Sequence, residues 1–115
     1  QIIKAGATLA QEIGAKAFLV FTLTSRMALN AAWMRPRKLP IHAFTPDKKV
    51  RNQMAVHWGV IPHQMDFAED PSHNVELAIE RLISQGVIER GDWIVAVTEI
   101  NLRDKVIDTI QMEIA

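Results

Sequence analysis

Residues 39–65 read Leu39-Pro-Ile-His-Ala-Phe-Thr45, then Pro46-Asp47-Lys-Lys-Val50-Arg-Asn-Gln-Met54-Ala-Val-His-Trp58-Gly59, then Val60-Ile-Pro-His-Gln-Met65. The first and last pieces are short apolar runs of strand length. Between them Val50, Met54 and Trp58 recur every four residues, the spacing of one buried helical stripe. Thr45-Pro46-Asp47 predicts the helix start, with a capping hydroxyl, proline at the first helical position and an acid in the first turn. Gly59 is the stop. A strand, a helix of about three turns and a second strand make one βαβ unit, which closes as a right-handed crossover between parallel strands. Pro62 in the second strand places that strand at a sheet edge.

The same grammar extends outward in both directions. Ile2, Ile3, Ala7, Ala10 and Ile13 predict a first helix, ended by Gly14, and Ala17-Phe-Leu-Val-Phe-Thr22 predicts a buried strand. Thr24-Ser25 can cap a further helix that Pro36 ends. Downstream, Asp70-Pro71-Ser72 opens a helix whose apolar face is Val75, Ala78, Ile79, Leu82 and Ile83, and Gly86 closes it. Gly91-Asp92 turns into the buried strand Trp93-Ile-Val-Ala-Val-Thr98. From Val106 to Ile114 apolar and polar residues share both registers, which predicts a half-exposed strand. It follows the strand before it without a helix and so runs antiparallel. The order predicts one α/β domain with a mainly parallel sheet and helices on both faces.

Composition excludes several classes. The chain has 115 residues, the size of one domain, and 49% are hydrophobic. Thirteen basic residues balance thirteen acidic ones, which gives no net pull toward nucleic acid or an anionic membrane. Without cysteine there are no disulfides or thiolate metal sites. No apolar run approaches the roughly 20 residues that span a bilayer. These features predict a soluble domain of a cytosolic (cytoplasmic) protein. The opening at Gln1, within an apparent helix, reads as a piece excised from a longer chain.

The candidate site is the loop from Thr22 to Met27. A loop that leaves a parallel strand and opens a helix offers free backbone N–H groups and a positive dipole end to an anion. Hydroxyls of Thr22, Thr24 and Ser25 add donors, and Arg26 adds a charge-assisted fork. The plainer alternative stays open: Thr24 or Ser25 as a helix cap worth about 1 kcal/mol, and Arg26 as a solvated residue. His42, His57, His63 and His73 fall on different elements, with no pair at helical ligand spacing, so no metal is assigned. The basic stretch Arg35, Arg37, Lys38, Lys48, Lys49 and Arg51 reads as a solvated face or subunit interface, not a nucleic-acid patch. Trp58 and Trp93 read as core residues. Trp33 and Met34 mark a possible partner surface.

The ordered series Glu12-Ile-Gly-Ala-Lys-Ala17, Thr22-Leu-Thr-Ser-Arg26, Met34-Arg-Pro36, Ile41-His-Ala-Phe-Thr-Pro46, His57-Trp-Gly-Val60, Gly86-Val-Ile-Glu-Arg-Gly-Asp92 and Asp108-Thr-Ile110 resembles the C-terminal domain of the pyruvate kinase family over nearly the whole chain. The resemblance implies a three-layer α/β/α sandwich. Its five-stranded mixed sheet has order 3-2-1-4-5, with strand 5 antiparallel. It implies a regulatory and oligomerising domain in glycolysis, one that carries an effector site for a sugar phosphate or nucleotide and packs against its copy in another subunit. Catalysis, which converts phosphoenolpyruvate and ADP into pyruvate and ATP with Mg²⁺ and K⁺, is implied to lie in other domains. No cofactor and no catalytic residue is then expected in this one. The resemblance places Thr98, with Glu99, on the wall of the crevice opposite Thr22–Met27.

Two features depart from the family pattern. Ser25 stands where the family loop has glycine. Thr98-Glu-Ile-Asn-Leu-Arg-Asp-Lys105 stands where the family has a glycine-rich effector loop. Both point away from a bisphosphate, toward a monophosphate effector or a relic structural domain with none. A stand-alone protein that binds a phosphate-bearing ligand is the remaining alternative.

Overall fold

A computed structural model of the chain describes residues 2–23, 39–56, 59–102 and 105–115, with backbone alone at 71, 99–102 and 105–107. Three helices and five strands are described, in the order α1 (Ile2–Ile13), β1 (Ala17–Thr22), β2 (Ile41–Thr45), α2 (Lys48–Met54), β3 (Val60–Gln64), α3 (Pro71–Ser84), β4 (Trp93–Leu102) and β5 (Lys105–Ile114). The expected helix between Thr24 and Pro36 lies outside the described residues, as do Trp33, Met34 and Trp58.

The sheet order is β3-β2-β1-β4-β5. β1 pairs in parallel with β2 and with β4, β2 pairs in parallel with β3, and only β4–β5 is antiparallel. This is the topology that the resemblance implied. β3 and β5 are the edges, which is why Pro62 is tolerated: its missing N–H costs no ladder bond on the open side.

The central strand β1 is buried along its whole length, as a strand covered on both faces must be. On one face Phe18, Val20, Ile41, Val95 and Val97 meet Ile3, Ala7 and Ala10 of α1. Ala43 and Val60 of that same face meet Met54 of α2. On the other face Ala17, Leu19, Phe21, Phe44, Ile94 and Ala96 meet Val75, Ala78, Ile79 and Leu82 of α3. The layers are therefore α1 with α2, then the sheet, then α3. The apolar face expected for α3 is the one that packs, with Ile83 half-buried at its margin.

Local chemistry fixes the helix ends. Gly14 takes φ +69°, a left-handed turn that glycine enters without a Cβ clash, and Ala15 N–H bonds back to Ala10 C=O at 3.0 Å. Asp70 caps α3 by accepting from Ser72 N–H at 3.0 Å, with Pro71 opening the first turn as expected. At α2 the expectation needs correction. Asp47, not Thr45, is the cap, and its carboxylate accepts from Lys49 N–H at 2.8 Å and Val50 N–H at 3.4 Å. Thr45 belongs to the end of β2, where its hydroxyl accepts from Asp47 N–H at 3.3 Å and shapes the turn instead. A carboxylate is the stronger acceptor, so the cap falls one residue beyond the proline.

A second correction concerns the strand ends: β4 was expected to end at Thr98 and β5 to begin at Val106. β4 continues through Leu102 and β5 begins at Lys105, with Leu102 opposite Lys105 and Glu99 opposite Asp108. Without glycine or proline nothing breaks the ladder, and the pairing runs four residues past Thr98.

Candidate functional site

The carboxyl ends of β1 and β4 lie side by side, with Thr22 opposite Glu99 and Phe21 opposite Thr98. From β1 the chain proceeds outward to β2 and β3, then returns across the sheet to β4. A parallel sheet opens a crevice at such a reversal, outside the strand ends, where free N–H groups gather.

Thr22 and Thr98 are both buried, each 2% exposed. They do not share a face. Paired residues on neighbouring strands point the same way, and Thr98 continues Ile94 and Ala96 on the α3 side, opposite Thr109. Thr22 continues Phe18 and Val20 on the α1 side. They stand as two posts at the rim, one above each surface of the sheet. Thr24, Ser25, Arg26 and Met27 lie outside the described residues.

Near that rim Asn74 of α3 is 2% exposed and fully employed. Its Oδ1 accepts from Ala68 N–H at 2.6 Å and its Nδ2 donates to Ala68 C=O at 3.2 Å. The amide thus substitutes for a strand partner and fixes the connection from β3 to α3. Sequence reading missed Asn74. The signal was available, since position 74 falls beside Val75 and Ala78 on the buried face of the helix.

β5 departs from ordinary amphipathic logic. Its α3 face carries Thr109, Gln111 and Glu113, all half-buried, while its opposite face carries Ile110, Met112 and Ile114 at 37%, 51% and 58% exposure. Apolar residues face out and polar ones face in. Thr109 Oγ1 and Gln111 Oε1 are buried with no hydrogen-bond partner. Burial, with Glu76 nearby, raises the Glu113 carboxyl above its ordinary range. The mixing seen in the sequence comes from Ile107 and Asp108; from Thr109 to Ile114 the alternation is clean but inverted.

Two of the four histidines, assigned separately from the sequence, come together. His42 Nδ1 and His63 Nε2 are 3.0 Å apart between β2 and β3. The rings extend an aromatic row in which Phe21 stacks on Phe44 at 5.1 Å and Phe44 on His63 at 4.6 Å. Burial lowers both imidazoles to about 4; for His63, neighbouring His42, Arg81 and Arg51 push in the same direction. Placing residues 41–45 and 60–64 as parallel neighbours in register brings 42 and 63 onto one face, a juxtaposition that helical spacing does not reveal. His73 sits instead beside Glu76, 3.8 Å away on α3. Among the described residues no three His, Asp or Glu side chains converge to hold a metal.

Lys48, Lys49 and Arg51 of the basic stretch stand exposed on α2, and the rest of that stretch is outside the described residues. Trp93 is half-buried, opposite Ile114.

Comparison with known proteins supplies the context. Residues 1–112 match the family described as "Pyruvate kinase, alpha/beta domain". Pyruvate kinase isozyme A, chloroplastic, of Ricinus communis is 33% identical over 100 residues, 87% of this chain and 17% of its own length. Pyruvate kinase of Clostridium acetobutylicum is 30% identical over 88 residues, 76% of this chain and 18% of its own. The chain thus spans about a fifth or less of the length of these relatives. Among solved structures, Cryptosporidium parvum pyruvate kinase in complex with ADP superposes with a TM-score of 0.85 over 99% of this chain and 24% of that one, at 18% identity, which shows the shared fold.

Proposed function

This chain belongs to the pyruvate kinase family, as its C-terminal α/β domain, and from that premise we propose that it assembles and regulates a pyruvate kinase without transferring phosphate itself. The observation that carries the reading is the outer edge of β5. A ten-residue strand there ends the sheet and displays Ile110, Met112 and Ile114 to solvent. Open edges with apolar rows pair with other chains, and proteins that remain monomeric blunt them with charge or proline. A second copy meeting the same edge around a two-fold axis satisfies the free backbone groups and covers the apolar row on both sides.

The test is the mass of the chain in solution by light scattering after size exclusion. Self-association that Met112→Lys abolishes, with circular dichroism unchanged, supports the role. A wild-type chain that stays monomeric at high micromolar concentration removes it.

The effector site of this reading is the rim where β1 and β4 end, at Thr22 and Thr98 with the segment through Thr24, Ser25, Arg26 and Met27. A sugar monophosphate or nucleotide is the ligand class, because the site's chemistry is hydroxyls, N–H groups and one guanidinium. A ligand that binds only the folded state raises its melting temperature. Sugar phosphates and nucleotides at millimolar concentration are therefore expected to raise it, and Arg26→Ala to cancel the rise.

One observation favours a second reading, a packing domain without an effector. The β4–β5 ladder continues to Leu102 and Lys105, through the stretch where the family has a glycine-rich effector loop. The absence of any thermal shift selects this reading.

The parent reaction of the proposal is phosphoenolpyruvate and ADP to pyruvate and ATP, with Mg²⁺ and K⁺ held outside this chain. Pyruvate formation by the 115-residue chain alone would overturn the non-catalytic role. The chloroplastic names of plant relatives favour a plastid over the cytosol expected from the sequence. Imaging of the full-length protein with a C-terminal fluorescent tag distinguishes the two.

A further inference from the structure

We propose that His42 and His63 form an acid-sensitive latch, which holds the edge strand β3 on the sheet while both rings are neutral and releases it when the pair takes up an added proton.

The argument begins with one hydrogen bond. His42 Nδ1 and His63 Nε2 are 3.0 Å apart, so one nitrogen carries hydrogen and the other a lone pair. His42 is 1% exposed, and its Nε2 is buried with no partner. A buried N–H without an acceptor is the costlier orphan. The bare lone pair is therefore His42 Nε2, and His42 Nδ1–H donates to His63 Nε2.

From that state every route for an added proton is unfavourable. On His42 Nε2 it creates an unpaired cation inside the protein. On His63 Nε2 it sets two N–H groups against each other across 3.0 Å. Reversing the bond moves the His42 hydrogen to Nε2, where no acceptor waits. The charged groups that face the pair make protonation of His63 worse still. Arg51 of α2 and Arg81 of α3 both act on His63 as like charges, and Arg81 is held in place by its bond to Gln64 C=O at 2.7 Å. Among the described residues no carboxylate pairs with either ring.

The weakest element beside the pair is β3. It bonds to β2 alone, has a proline at its centre, and buries only Val60 among its five residues. Opening β3 brings His63 into water at little hydrophobic cost. Local release of an edge is the expected outcome, since β1, β2 and β4 are held by both cores.

The sign follows from the lowered values. Both rings sit at about 4 when closed, and His63, the ring that opening brings into water, returns to near 6.5. The latch is therefore intact above about pH 6.5 and is lost as pH falls toward 4. One proton taken up on opening favours the open state about 30-fold at about pH 5 relative to about pH 7.5.

Amide hydrogen exchange, corrected for the intrinsic effect of pH, tests this on the whole chain. The expected result is loss of protection at residues 60–64 by about 30-fold between those pH values, with 18–21 and 94–97 unchanged. The double variant His42→Leu/His63→Phe, which keeps the apolar volume and the stack on Phe44, is expected to remove the pH dependence. ¹⁵N spectra of the wild-type imidazoles, which need no variant, are expected to show His42 protonated at Nδ1. Flat protection of 60–64 across the range, equal loss in all strands, a pH dependence that survives in the double variant, or imidazoles titrating near 6.5 would each overturn the proposal.

Discussion

Gly6 sits in the middle of α1 on the face that packs against the sheet. A Cβ at that position would stand 2.7 Å from Val97 Cγ2 and 3.3 Å from Phe18 Cζ. At an exposed helical position Gly→Ala stabilises by about 1 kcal/mol, because alanine loses less backbone entropy. Here the added methyl meets a β-branched side chain on the interior strand β4 and a ring on the central strand β1. Neither can swing away, since both are fully buried. Overpacking of this kind costs about 1–3 kcal/mol. The net expectation for Gly6→Ala is therefore a loss of about 1 kcal/mol, which for a domain of this size is about 4 °C in melting temperature.

Urea unfolding followed by tryptophan fluorescence and circular dichroism measures the change. The partner variant Val97→Ala removes the obstructing methyl. In a double-mutant cycle Gly6→Ala is expected to become neutral or stabilising in the Val97→Ala background, with a coupling of about 1 kcal/mol or more. If Gly6→Ala alone stabilises the chain by the amount typical of an exposed site, the close approach of α1 to β4 is not what glycine provides there, and the reasoning fails.

Three further outcomes follow from the same contacts. Asn74→Leu leaves Ala68 N–H and C=O unpaired and is expected to cost about 2–3 kcal/mol in urea unfolding; a change under about 0.5 kcal/mol would show that water replaces the amide. Leu82→Ala empties a fully buried site under α3 and is expected to cost about 2–5 kcal/mol, with a loss below that range meaning that the helix collapses onto the sheet. Glu113, raised above its ordinary range by burial and Glu76, opposes folding when ionised. Glu113→Gln is therefore expected to raise the melting temperature at neutral pH, with the gain shrinking as pH falls through the carboxyl's titration; a gain constant with pH would reject a charge effect.

Much of the architecture was legible in residue order. Periods of about four and unbroken apolar runs alternate along the chain, and Gly14, Asp70-Pro71 and Gly86 mark boundaries that the structure keeps. Pro62 correctly placed β3 at an edge. Capping was less legible: Thr45 and Asp47 are both competent acceptors, and only the path of the chain after Pro46 selects the carboxylate. The end of β4 was also less legible, since the apolar run stops at Val97 while the ladder continues to Leu102. Its own residues carry no turn signal before Arg103, and the strand ran on.

The candidate site was legible only as a place. Thr22 and Thr98 both reach the rim, but the sequence did not show that they stand above opposite faces. That follows from strand register, which offsets them by one residue.

The sequence by itself determined the order of the described helices and strands, the buried faces of α1 and α3, and the absence of cysteine chemistry, because those depend on periodicity and composition within single segments. The tertiary structure alone decided that His42 meets His63, that Gly6 lies against Val97, and that β5 turns its apolar side outward. The first two join segments separated by crossovers, and the third depends on which surface of the sheet the helices cover. The relative register of such segments is set by how the two cores pack around β1, a collective constraint that no local pattern of residues encodes.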